Sequence, residues 1–146
     1  MTAQDIISLL PYQQPFLFVD SLDTVSNEGC KGSYTLKTDE YFFKGHFKDH
    51  PVTPGVILTE IMAQIGVVCL GIFLMKDEVS EQHPPQIALT ASQIDFFVPV
   101  YPNEKVTVVS EKEVFRFNKL KCKVKMFNKN EELVCRGIIS GMIKPN

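Results

Sequence analysis

The spacing of apolar residues changes along this chain and divides it into a helical half and a strand-rich half. In the first ten residues Ile6, Ile7, Leu9 and Leu10 fall at helical spacing and Pro11 ends the run, which predicts a short helix. Phe16 to Val25 and Cys30 to Leu36 read as strands joined by a turn at Asn27-Glu28-Gly29. Residues 38–53 have no period and read as a loop. From Gly55 to about Met75 a helix apolar on nearly every side is expected. Thr53 suits its cap, and Pro54 suits its first position because it has no N–H to leave unpaired. After a linker at Glu81–Pro85, four strands follow: Gln86 to Val98, Lys105 to Phe117, Lys119 to Phe127 and Glu132 to Ile143. Asn118 and the run Asn128-Lys129-Asn130-Glu131 supply hairpin turns. The pattern predicts one α+β domain over residues 1–146, a long helix wrapped by an antiparallel sheet.

The apolar helix is long enough to span a bilayer, but Thr59, Glu60 and Gln64 interrupt it and strand-like segments flank it. A helix apolar on all sides in that setting is a core helix, so no membrane role is expected. A net charge of −2 argues against a general nucleic-acid binder. The start Met1-Thr2-Ala3-Gln4-Asp5 lacks the basic region of a secretory signal. Cys30, Cys69, Cys122 and Cys135 are widely spaced, which fits reduced thiols in a cytoplasmic protein.

Two groups with acid/base chemistry stand close to the helix start. His46 lies in the loop before it and Glu60 lies inside it among Ile57, Leu58, Ile61 and Met62. A carboxylate in such surroundings is costly to ionise, which raises its pKa. Gly55, in the first turn, offers a backbone N–H with no partner inside the helix and leaves room for close approach. Gln64, one turn after Glu60, is in position to fix that carboxyl or to serve as a satisfied interface amide. His46 and His50 are four apart, but Pro51 follows and the segment is not helical, so no metal site is expected. Lys119, Lys121, Lys123 and Lys125 alternate along one strand and share a face: either a solvated face or a dock for an acidic partner.

These residues carry a resemblance. Leu10-Pro11-Tyr12-Gln13-Gln14-Pro15-Phe16-Leu17 resembles the LPHRYPFL opening of the FabZ-type 3-hydroxyacyl-[acyl-carrier-protein] dehydratases. Phe43-Lys44-Gly45-His46-Phe47, Pro54-Gly55-Val56 and Glu60-Ile61-Met62-Ala63-Gln64 resemble that family's FKGHF, PGV and E-x-MAQ blocks, and Phe96 to Pro102 its F-x-x-PVxP block. The resemblance implies a hot-dog fold and a homodimer with sites at the interface. A trimer of dimers, or pairing with a related subunit, is a further possibility that it implies. It implies no cofactor and a carrier-protein partner that presents the acyl group on 4′-phosphopantetheine.

The reaction so implied removes water from a 3-hydroxyacyl thioester to give a trans-2-enoyl product. His46 becomes the candidate base at the α-carbon, Glu60 the candidate acid at the departing hydroxyl, and the Gly55 N–H the donor to the enolate oxygen. The matching blocks set Phe47, Pro54, Val56, Gln64, Phe96 and Phe97 around the substrate, with Phe16 a further candidate for an acyl tunnel. Departures surround the triplet: Tyr12 stands where the family usually has histidine, Gln13-Gln14 replace Arg-Tyr, and Lys48 replaces a proline. They leave two pathways open, fatty-acid synthesis and a polyene or aryl-polyene pathway. A hot-dog thioesterase and a catalytically silent subunit remain as rival readings.

Overall fold

The computed structural model covers residues 1–146. A short N-terminal helix, Ala3–Ser8, is closed by a reciprocal cap in which the Thr2 hydroxyl accepts from the Asp5 N–H and the Asp5 carboxylate accepts from the Thr2 N–H. Six strands follow in chain order: β1 (Ser21–Ser26), β2 (Gly29–Thr35), β3 (Pro85–Phe96), β4 (Lys105–Arg116), β5 (Lys119–Phe127) and β6 (Leu133–Pro145). They form one antiparallel sheet in the order β1-β2-β4-β5-β6-β3. The hot-dog arrangement expected from the sequence is present: the sheet curls around a central helix.

That helix runs from Gly55 to Leu74 with a mean hydropathy of 2.2, and 78% of its apolar window is buried inside the protein. Its hydropathy is therefore satisfied by the sheet. Gly66 and Gly71, which weaken helix propensity, have a packing reason. A β-carbon on Gly66 would meet Ser110 and Val124 at 3.1 Å, and one on Gly71 would meet Ile143 at 2.9 Å. Both glycines let the helix lie close against the sheet. On the sheet side, Leu120, Cys122, Val124 and Met126 of β5 point inward and are buried, while lysines alternate with them on the outer face.

Four local expectations need correction. The strand read from Phe16 begins only at Ser21. The apolar stretch before it has no strand partner at Phe16 and Phe18, where a side chain serves the backbone: the Phe18 N–H donates to Gln64 Oε1 at 2.8 Å, and Gln64 Nε2 donates to the Phe16 carbonyl at 3.0 Å. The loop before the helix contains a 3₁₀ turn at Tyr41–Lys44. Thr53 does not cap the helix: Pro54 occupies the N-cap and no side chain bonds there. Ala63–Val68 is wound as a π-helix, a widening that residue propensities do not signal and that often accompanies functional sites. The four cysteines are free and buried.

Candidate active site

His46 is held by its own loop. The Phe47 N–H donates to the His50 carbonyl at 2.9 Å and the His50 N–H returns to the Phe47 carbonyl at 3.0 Å, closing a tight turn. The Val52 N–H then donates to the His46 carbonyl at 2.9 Å. His46 Nδ1 lies 2.9 Å from the Val52 carbonyl oxygen, which can only accept, so Nδ1 carries the proton. In the neutral ring this tautomer puts the lone pair on Nε2, the atom a general base uses. The ring stacks on Phe47 with centroids 3.9 Å apart.

The His46 cleft, about 400 Å³, brings this ring together with Gly55, Thr53, Phe47, Phe96 and Phe97. The Gly55 N–H makes no hydrogen bond, as expected in the first turn of a helix. Glycine also leaves room here: a β-carbon would lie 3.2 Å from the Phe96 ring, which packs over the helix start and would have to shift slightly.

Glu60 faces a different cavity of about 590 Å³, lined also by Tyr12, Phe16, Val67, Val68 and Leu89. Its Oε2 accepts from Gln64 Nε2 at 2.9 Å. Gln64 is fully buried, so one amide both positions the carboxyl and pins residues 16–18 to the helix. Burial pushes the Glu60 pKa up, and the Gln64 amide opposes that only in part. Burial, with the Glu60 charge adding to it, raises the Tyr12 phenol too and keeps it neutral.

The raised Glu60 pKa links to stability. A carboxyl that holds its proton more tightly when folded contributes stability below the ordinary value of 4.5, and that contribution is lost as pH rises through the folded value. Glu60→Gln removes the titration. The melting temperature of the variant is therefore expected to rise relative to the natural protein as pH goes from about 4 to about 8. A constant difference across a pH series of melting curves would contradict this.

Among the residues singled out in the sequence, Phe47, Gly55, Phe96 and Phe97 join His46, whereas Phe16 joins Glu60. Pro54, Val56 and Gln64 line neither cavity in the single protomer, and Val56 is 77% exposed. Within one chain, His46 and Glu60 thus belong to separate cavities. Tyr12, Val67, Val68 and Leu89 were missed as liners. A signal for two of them was available, since Glu60, Ala63, Val67 and Val68 fall at helical spacing on one face.

The family model described as a FabA-like domain matches residues 10–138. The chain belongs to the FabA-like family. A relative in Ehrlichia ruminantium, the 3-hydroxyacyl-[acyl-carrier-protein] dehydratase FabZ, is 34% identical over 146 residues, covering 98% of this chain and 97% of its own. Among solved structures, the dehydratase heterocomplex ApeI:P from Xenorhabdus doucetiae superposes with a TM-score of 0.79 at 14% identity, over 97% of this chain and 91% of that one. The thioesterase HI1161 from Haemophilus influenzae gives 0.68 at 12% identity, over 99% and 92%. Dehydratases and thioesterases thus share the FabA-like chain's fold, so the fold does not discriminate between them.

Proposed function

We propose that the protein dehydrates 3-hydroxyacyl thioesters carried on acyl carrier protein, at a site built by two protomers. The observation that carries this is His46, its Nδ1 engaged by the Val52 carbonyl and its Nε2 without a partner, in one cleft with an unpartnered Gly55 N–H; Glu60, whose burial favours the protonated form, supplies the acid. His46 Nε2 takes the α-proton, which the thioester carbonyl has acidified. The Gly55 N–H, at the positive end of the helix, receives the developing enolate oxygen. Glu60 gives its proton to the departing β-hydroxyl, so water leaves and the trans-2 double bond remains. No cofactor enters this scheme.

The two-protomer site follows from β3. This strand is paired on one side only, to β6, and nearly every residue from Gln86 to Phe96 is exposed, including Leu89 and Phe96. A long exposed edge with unpaired backbone groups and two exposed large apolar side chains calls for a cover. Antiparallel pairing of β3 with its copy about Thr90–Ala91 would set Pro85 opposite Phe96. The Glu60 cavity includes Pro85, Ile87 and Leu89, and the His46 cleft includes Phe96 to Pro99. One pairing would therefore join the Glu60 cavity of each protomer to the His46 cleft of the other. Closed dimers of this isologous kind are the commonest assembly.

The carrier reading is supported by a groove on the outer face at the β4–β5 hairpin. Arg116, Lys119 and Lys121 line it, Lys121 also lying 3.7 Å from the Glu113 carboxylate, and Phe117 at the tip is 88% exposed. Such a surface suits an acidic protein. A cytoplasmic setting suits both carrier-bound intermediates and four free thiols.

The test is one incubation with two substrates, a 3-hydroxyacyl group on carrier protein and the same group on a short thiol. Enoyl absorbance and loss of water by mass are expected, fastest with the carrier-bound form and without release of free thiol. Thiol release without enoyl product would instead establish the thioesterase reading.

A further inference from the structure

We propose that Thr53 is a second donor to the thioester oxygen, acting beside the Gly55 N–H. This deepens the dehydratase reading and rests on it. Thr53 is 4% exposed, and its hydroxyl is the one buried side-chain polar atom in the protein with no hydrogen-bond partner. Buried hydroxyls are ordinarily bonded, so an orphan calls for a reason. Capping is not that reason, because Pro54 holds the N-cap and no side chain bonds to the helix start. Nor does loop closure require the hydroxyl: the segment is fixed by the Thr53 N–H, which donates to the Val100 carbonyl at 2.8 Å. Valine would fill the same space without stranding a polar group.

The location supplies the reason. Thr53 follows Val52, whose carbonyl orients the His46 ring, and precedes Gly55 by two residues. It lines the same cleft as both, and apart from His46 it is the only liner with a polar side chain. A rotation of about 120° about χ1 exchanges its methyl and hydroxyl positions between staggered wells. In this proposal the rotated hydroxyl reaches the cleft that Thr53 and Gly55 both line. Its proton is donated to the oxygen that gains charge as His46 removes the α-proton, and no bond other than this hydrogen bond is made. Oxyanion sites commonly present two such donors, and each acts mainly on the transition state.

The experiment compares Thr53→Val and Thr53→Ser with the natural protein on a carrier-bound 3-hydroxyacyl substrate, with melting temperature measured alongside. Thr53→Val is expected to melt no lower than the natural protein, because an orphan hydroxyl is gone. Its kcat is expected to fall about tenfold or more with KM within about twofold, the signature of a transition-state donor. Thr53→Ser, which keeps the hydroxyl, is expected to recover most of that loss. Unchanged kcat in Thr53→Val, a change confined to KM, or an equal loss in Thr53→Ser would each overturn the proposal. If the natural protein itself yields no enoyl product, the dehydratase reading falls, and this one with it.

Discussion

His46→Ala and Glu60→Gln are each expected to lower dehydration by about 10³-fold while leaving the protein folded, because each removes one positioned proton-transfer group. The two losses have different origins. His46→Ala takes away the only cleft side chain able to accept the α-proton, together with a ring oriented through Val52. Glu60→Gln keeps the shape and a hydrogen-bonding amide but cannot supply a proton to the leaving hydroxyl. Gln64 can still meet the new amide, since its Nε2 needs only an oxygen to accept from it. Neither substitution cuts into the core, because both side chains are only partly buried. Enoyl formation and circular dichroism on the same samples check the pair; turnover near the natural level in either variant would remove that residue from the mechanism.

A protomer with every one of these residues intact is expected to be inactive when alone. Thr90→Glu combined with Ala91→Glu puts like charges opposite each other where two β3 strands would meet, which is destabilising. Both positions are exposed and neither lines the His46 cleft or the Glu60 cavity; Ala91 does line the basic groove, so turnover is read with the short-thiol substrate, which needs no carrier dock. The double variant is expected to sediment as a monomer and to lose at least about a hundredfold in turnover, because Glu60 no longer shares a space with His46. A monomer with full turnover would contradict the two-protomer site.

Much of this architecture was legible in the residues. The alternation of Leu120, Cys122, Val124 and Met126 with four lysines gave β5 its limits and its inward face, because a period of two leaves little choice of register. The all-round apolar helix required an enclosing sheet, and that sheet is present. What escaped reading depends on contacts distant in sequence. Phe16 to Val19 looks like strand because it is apolar, yet at Phe16 and Phe18 the Gln64 amide, 46 residues from Phe18, meets the backbone in place of a neighbouring strand. Thr53 has the right chemistry for a cap, but Pro54 advances the N-cap by one residue and leaves the hydroxyl orphaned. The spacing of His46, Gly55 and Glu60 pointed to acid/base chemistry, and the resemblance, rather than the spacing, implied a site shared by two protomers. The fold of one protomer puts His46 and Glu60 in separate cavities, which is why the proposed site takes one from each protomer.

The most direct measurement is therefore to mix the two inactive variants. When His46→Ala and Glu60→Gln are dissociated and reassociated together, a mixed dimer contains one site with both defects and one with His46 and Glu60 both intact. With random pairing about half of the dimers are mixed, so about a quarter of natural activity is expected to return, although each parent alone has only about a thousandth of it. If the mixture stays as inactive as its components while subunits exchange, His46 and Glu60 act within one protomer, and the shared site is wrong.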